Sequence, residues 1–100
     1  MPAYMIFTRE GPITDQAAMD AYSGMNRTQA GRFVADYALK PLSVYGAMET
    51  MEGEGPEGVV LLEFPDADAA RAWYHSKEYQ ESALLRQQGA SYRVLLVEGL

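Results

Sequence analysis

The sequence has no cysteine and only one histidine, His75. Without thiols there is no disulfide framework, no thiolate metal site and no cysteine nucleophile. Without a second imidazole there is no histidine-pair metal site, and no GxSxG elbow presents a serine nucleophile. Basic residues are scarce too: 8 lysines and arginines stand against 14 carboxylates, for a formal charge of -6. That balance repels a phosphate backbone and offers no basic patch for counterion release, so nucleic acid is not an expected partner. No apolar run approaches the roughly 20 residues that span a bilayer, and the opening MPAYMIFTRE lacks a basic segment followed by a cleavable apolar one. The chain is therefore read as cytoplasmic, with no membrane partner and no cofactor.

What is present is core material. With 48% hydrophobic and 22% charged residues, the composition is that of a globular protein. The 100 residues are expected to form one domain spanning 1–100. A domain of this size buries only about two thirds of the surface its unfolded chain exposes, so a partner that covers more apolar surface would stabilise it.

Ala3 to Thr8 (AYMIFT) is short and apolar on both alternating faces, as in a strand covered on both sides. Gly11 and Pro12 mark a turn, after which Thr14 or Asp15 can accept from the first free amides of a helix. Ala18, Tyr22, Met25, Phe33 and Tyr37 follow at helical spacing. The stripe weakens at Asn26 to Gln29, between Gly24 and Gly31, which predicts a bend or break there, and Pro41 is read as the end of the helix. Leu42 to Met51 reads as a second strand, with Gly46 marking a bulge or a close backbone approach. A turn over Glu52 to Gly58 then leads into a third strand, Val59 to Phe64. Asp66 caps the next helix. Ser76 supplies a second cap, so that helix stops near His75, restarts, and closes at Gly89; Tyr92 to Glu98 is the last strand.

Strand, helix, strand, strand, helix, strand is the order of a ferredoxin-like βαββαβ sandwich, an α+β fold with a four-stranded antiparallel sheet and its helices on one face. Two helices cover only one side of such a sheet. VVLLEF and YRVLLVE are nevertheless apolar at both alternating positions, which points to a second copy packed sheet to sheet.

Few residues carry chemistry. Gly53, Gly55 and Gly58 spell GxGxxG, yet they precede a strand instead of opening a helix, and Glu54 and Glu57 between them repel phosphate; the stretch is read as a hairpin loop. Glu52, Glu54 and Glu57 lack the alternating pattern of a calcium loop. His75 is the default general base by its ordinary pKa, but a helix end gives an imidazole a structural or solvent role. Tyr22, Tyr45, Trp73, Tyr74 and Tyr79 line an aromatic pocket on one reading and fill the core on the other, the second being preferred for Trp73 and Tyr79. Glu63 and Arg93 interrupt apolar strands, where they pair with each other, line a cleft or sit in water.

The segment PLSVYGAMETMEGEGPEGVVLLEFPDADAARAWYHSKEYQESALLR, together with the closing RVLLVEG, resembles the domain-of-unknown-function family 1330 (DUF1330) of small bacterial proteins, within the dimeric α+β barrel superfamily. The combination EFP, AxxWYxSxEY and LVEG carries the resemblance over residues 41 to 99, and the first helix matches it loosely. It implies a fold and a homodimer through the sheet faces, not a reaction. In that light WYHSKEY is a helix break in which the histidine position varies.

Three functions remain open. The first is a homodimer that binds a small organic molecule between the sheet and the first helix, with Tyr22, Tyr45, Trp73 and Arg93 as ligand-binding candidates. The second is a cofactor-independent monooxygenase or isomerase, with His75, Glu63 or a tyrosine moving the proton. The third is a non-catalytic dimeric assembly module. An open pocket between helices and sheet separates the first two from the third, and an ionisable group with a perturbed pKa inside it separates the second from the first.

Overall fold

The computed structural model describes every residue from Met1 to Leu100. In chain order the elements are β1 (Ala3–Arg9), α1 (Gln16–Tyr37), β2 (Lys40–Val44), β3 (Gly58–Phe64), α2 (Ala67–Tyr74), α3 (Lys77–Gly89) and β4 (Tyr92–Glu98). The strands form one antiparallel sheet in the order β2-β3-β1-β4. This is the ferredoxin-like βαββαβ arrangement, its second helix divided into α2 and α3. No helix is long and apolar enough to cross a membrane.

Alternation along the strands divides the sheet into two faces. Ala3, Met5 and Phe7 of β1, with Leu62 and Phe64 of β3, are buried under the helices and meet Phe33, Trp73 and Tyr79 in the core. The opposite face is apolar too. In the register of the sheet, Leu61, Ile6 and Leu95 stand side by side across β3, β1 and β4, and Leu95 and Val97 remain 52% and 45% exposed.

The caps follow the short polar side chains. Asp15 accepts from the Ala18 amide at 3.0 Å and Asp66 from the Ala69 amide at 2.8 Å, each satisfying a free N–H of a first helical turn. Ser76 acts in both directions: its Oγ donates to the Trp73 carbonyl at 2.6 Å and accepts from the Tyr79 amide at 3.2 Å. One hydroxyl thus closes α2 and opens α3. His75, at the joint itself, is exposed, and its ring stands edge-on to Tyr74 at 5.2 Å. His75→Ala is expected to cost under about 1 kcal/mol, the scale of an exposed helix-end interaction, as read from the midpoint of a urea melt. A loss of several kcal/mol would show that the imidazole holds the joint together.

Three local expectations are corrected. α1 runs unbroken through Asn26 to Gln29. Two of the polar residues there find partners without breaking the helix: Thr28 Oγ1 donates back to the Gly24 carbonyl at 3.0 Å, and Asn26 Oδ1 lies 3.1 Å from Ser82 Oγ on α3. Anchors at Tyr22 and Phe33 outweigh a glycine cost of about 1 kcal/mol each. The helix ends before Pro41, because Ala38 turns left-handed (φ 53°) and its amide bonds the Val34 carbonyl at 3.0 Å. Pro41 lies within β2, whose place at the sheet edge spares it a second ladder partner.

β2 is also shorter than the sequence indicates. Its irregularity falls between Pro41 and Ser43, not at Gly46, and Tyr45 leaves the strand with φ 52°. Residues 45 to 57 form a loop that carries Met48 and Met51 on its exposed surface. A two-strand hairpin needs a ladder to keep going, and a left-handed tyrosine ends it.

Candidate functional site

A cleft of about 410 Å³ opens between α1 and the β2–β3 half of the sheet. Phe7, Val60 and Leu62 form its floor, Trp73 and Tyr79 its back, and Pro41, Val44 and Tyr45 its outer edge. The fourth side is one stripe of α1: Tyr22, Asn26, Ala30 and Phe33. Spacings of four, four and three put these residues on a single helical face. The two middle positions are polar or small. The helix therefore cannot fill the space above Val60 and Leu62, and the weakened apolar pattern that reads as a helix break is instead the reason a cavity exists.

Tyr45 bridges the end of the sheet. Its ring lies over Gly58, where an added Cβ would come within 2.8 Å of the tyrosine Cδ1. Its hydroxyl reaches across β1 to hydrogen-bond the Tyr92 hydroxyl on β4. Gly58 is thus required by a close side-chain approach, and any larger residue would displace the ring from the cleft edge. Burial, followed by the hydrogen bond with Tyr45, pushes the Tyr92 hydroxyl well above the usual tyrosine range.

Behind the apolar wall lies a polar group drawn from α1 and α3. Tyr79, Ser82, Ala83 and Arg86 share the buried side of α3. The Tyr22 and Tyr79 hydroxyls are joined by a 2.9 Å hydrogen bond, and Ser82 Oγ lies 2.8 Å from the Tyr79 carbonyl as well as 3.1 Å from Asn26 Oδ1. Arg86 is only 4% exposed. Its guanidinium stacks over Phe7 at 5.6 Å and Tyr92 at 5.2 Å and makes no ion pair with any carboxylate. Two buried donors lack partners altogether: Arg86 Nε and Trp73 Nε1.

Desolvation raises the pKa of both inner tyrosines, more strongly for Tyr79, where the neighbouring Tyr22 adds to it. Both are neutral hydroxyls at physiological pH, able to donate a proton into a hydrogen bond but poor at giving it up. Burial alone would lower the pKa of Arg86, yet the surrounding tyrosines outweigh it and hold the guanidinium above its ordinary value. Arg86 is charged throughout.

Of the residues singled out from sequence, Tyr22, Tyr45, Trp73 and Tyr79 lie in the cleft wall. Arg93 lies on the opposite face of the sheet, in register with Thr8, and pairs with Glu10 at 3.5 Å. Glu63 faces the same way, opposite Tyr4 and Lys40. His75 borders a separate, smaller hollow with Arg71, Tyr74 and Val94. Sequence reasoning missed Asn26, Ser82 and Arg86. Arg86 was detectable in principle, since a charge falls on the apolar stripe at seven residues from Tyr79. Asn26 and Ser82 gave no such signal, because polar residues on a helix are ordinarily solvated.

The fold is that of a small ferredoxin-like α+β protein, and several solved structures of similar fold are described as dimeric. Among structures it resembles are a dimeric ferredoxin-like protein of unknown function from Jannaschia sp. CCS1 (15% identity, TM-score 0.69, covering 99% of this chain and 100% of the other) and the RPA0582 protein of unknown function from Rhodopseudomonas palustris (18% identity, TM-score 0.69, covering 99% and 82%). A third, from Caulobacter crescentus CB15, is a protein whose monooxygenase activity in antibiotic biosynthesis is itself only proposed (13% identity, TM-score 0.61, covering 99% and 90%). No curated protein matches the sequence. The chain belongs to the family described as domain of unknown function DUF1330, whose pattern it matches over residues 2–100.

Proposed function

We propose that this protein is a homodimer, joined through the outer sheet face, that binds a small, largely apolar organic molecule in the cleft between α1 and the sheet. The single observation that carries this reading is the cleft itself: its volume of about 410 Å³ falls in the range of small-molecule sites, its wall is aromatic and aliphatic, and a few polar groups converge at its back. A module that served assembly alone would gain stability by filling this space, as Leu or Met at Ala30 would do. The dimeric neighbours and the apolar row of Leu61, Ile6 and Leu95, half-buried at the first two and exposed at the last, support the assembly.

Cofactor-independent oxygenation or isomerisation is the second reading, favoured by the fold shared with the Caulobacter protein. It needs a base at the substrate, and the Tyr22 and Tyr79 hydroxyls have pKa values shifted upward, the wrong direction for proton abstraction at neutral pH. Binding is therefore the better-supported function.

Trp73 is the only tryptophan and lies in the cleft wall, so its fluorescence reports occupancy directly. Titration with small aromatic and carbonyl compounds is expected to give saturable quenching. Ala30→Phe, which places a ring in the cavity from a helical position that accepts one, should weaken it at least about tenfold, a loss of about 1.4 kcal/mol. Saturable binding unchanged by Ala30→Phe would locate the ligand elsewhere and defeat the reading.

A further inference from the structure

We propose that the cleft selects a planar organic molecule that binds as its oxyanion, a phenolate or enolate, with the charged oxygen at the Tyr22 hydroxyl and the buried Arg86 guanidinium acting on it through Tyr79. The inference rests on the binding function proposed above and adds the class of ligand.

The first argument is charge. The chain carries 14 carboxylates, yet none is placed beside Arg86. An arginine with 4% exposure and no counter-ion is costly to keep, and the faces of Phe7 and Tyr92 offset only part of that cost. The remaining compensation comes from a negative charge that enters with the ligand.

The second argument is the direction of the hydrogen bonds. Arginine donates and never accepts. Arg86 therefore adds no acceptor to the polar group, and its charge draws the pKa values of Tyr22 and Tyr79 down against the effect of burial. The two tyrosine hydroxyls share one 2.9 Å hydrogen bond in which either can donate, so the pair keeps one proton to spare. Both rings line the cleft, where that proton is available to a ligand. The unpartnered indole N–H of Trp73, in the same wall, adds a second donor without an acceptor. A cavity that offers donors backed by a positive charge, and otherwise apolar surface, complements a flat molecule with one anionic oxygen. Arg86 is a positioning residue in this scheme, since it does not line the cleft.

Two probes of similar size test it: 4-nitrophenol, which ionises, and 4-nitroanisole, its methyl ether, which does not. The full chain is expected to bind 4-nitrophenol at least about tenfold more tightly, as a hydrogen bond to a charged group does relative to a neutral one. It should also increase the phenolate absorption band at a pH where the free phenol is mostly protonated. Arg86→Met should abolish both the preference and the spectral change. Tyr22→Phe, a half-buried and nearly isosteric replacement that keeps the folded chain available should Arg86→Met not fold, should lower the affinity for 4-nitrophenol and leave that for 4-nitroanisole unaltered. Equal binding of the two probes, or a phenolate preference that survives both substitutions, would overturn the inference while leaving cleft binding intact. Binding of neither probe would overturn the cleft function and this inference together.

Discussion

Trp73→Ala is expected to lower the stability of the folded protein by about 3 kcal/mol, the lower end of the range for removing a large aromatic side chain from a core. The indole is buried and packs edge-on against Phe7 at 6.1 Å and Phe33 at 5.8 Å, tilted against Phe64 at 5.4 Å, and closest to Tyr79 at 4.1 Å. Its removal separates four aromatic partners from two strands and two helices at once. The cost stops short of about 5 kcal/mol because one side of the ring already borders the cleft, so the new void joins an existing one that solvent can enter. For a chain of this length, whose total stability lies in the range of about 5 to 15 kcal/mol, the loss is a large fraction. Urea unfolding followed by circular dichroism measures it. A change under about 1 kcal/mol would mean that the aromatic cluster is not what holds the helices to the sheet.

Leu95→Arg is expected to convert the proposed homodimer into single chains. Unmutated protein should scatter light as twice 11.1 kDa and the variant as 11.1 kDa at micromolar concentration. Leu95 stands at the end of the row Leu61, Ile6, Leu95, on the sheet face that the helices leave uncovered. Across a two-fold axis one substitution acts twice, placing two like charges in a surface that must be desolvated for the copies to meet. An unpaired buried charge costs several kcal/mol, so the dissociation constant should rise by at least about a hundredfold. A folded, monomeric unmutated protein at the same concentration would remove the outer face as an interface, whatever the variant does.

Much of the fold was legible in the chain because it rests on local rules. The last strand begins at Tyr92 and ends at Glu98 as its apolar run does, and Asp66 and Ser76 cap the helices where short oxygen-bearing side chains precede apolar periodicity. The order of elements, together with the apolar alternation on both faces of the third and fourth strands, was enough for the ferredoxin-like sheet. Those properties depend on residues a few positions apart.

The site is different in kind. Tyr22 and Tyr79 are 57 residues apart in sequence, Asn26 and Ser82 are 56 apart, and only the packing of α1 on α3 brings them to 2.9 and 3.1 Å. The same packing explains the misread stretch at Asn26, whose side chain interrupts a local pattern but finds its partner, Ser82, on another helix. The isolation of Arg86 from all 14 carboxylates is likewise a statement about distances in space, since Glu81 and Glu78 lie nearby in sequence and Glu78 pairs instead with Arg32. Periodicity, caps and turns are encoded in neighbouring residues, and the sequence alone determined them. Which polar groups meet behind a cleft wall, and which are left without a partner, depends on long-range approach of helices and strands, and only the tertiary structure decided it.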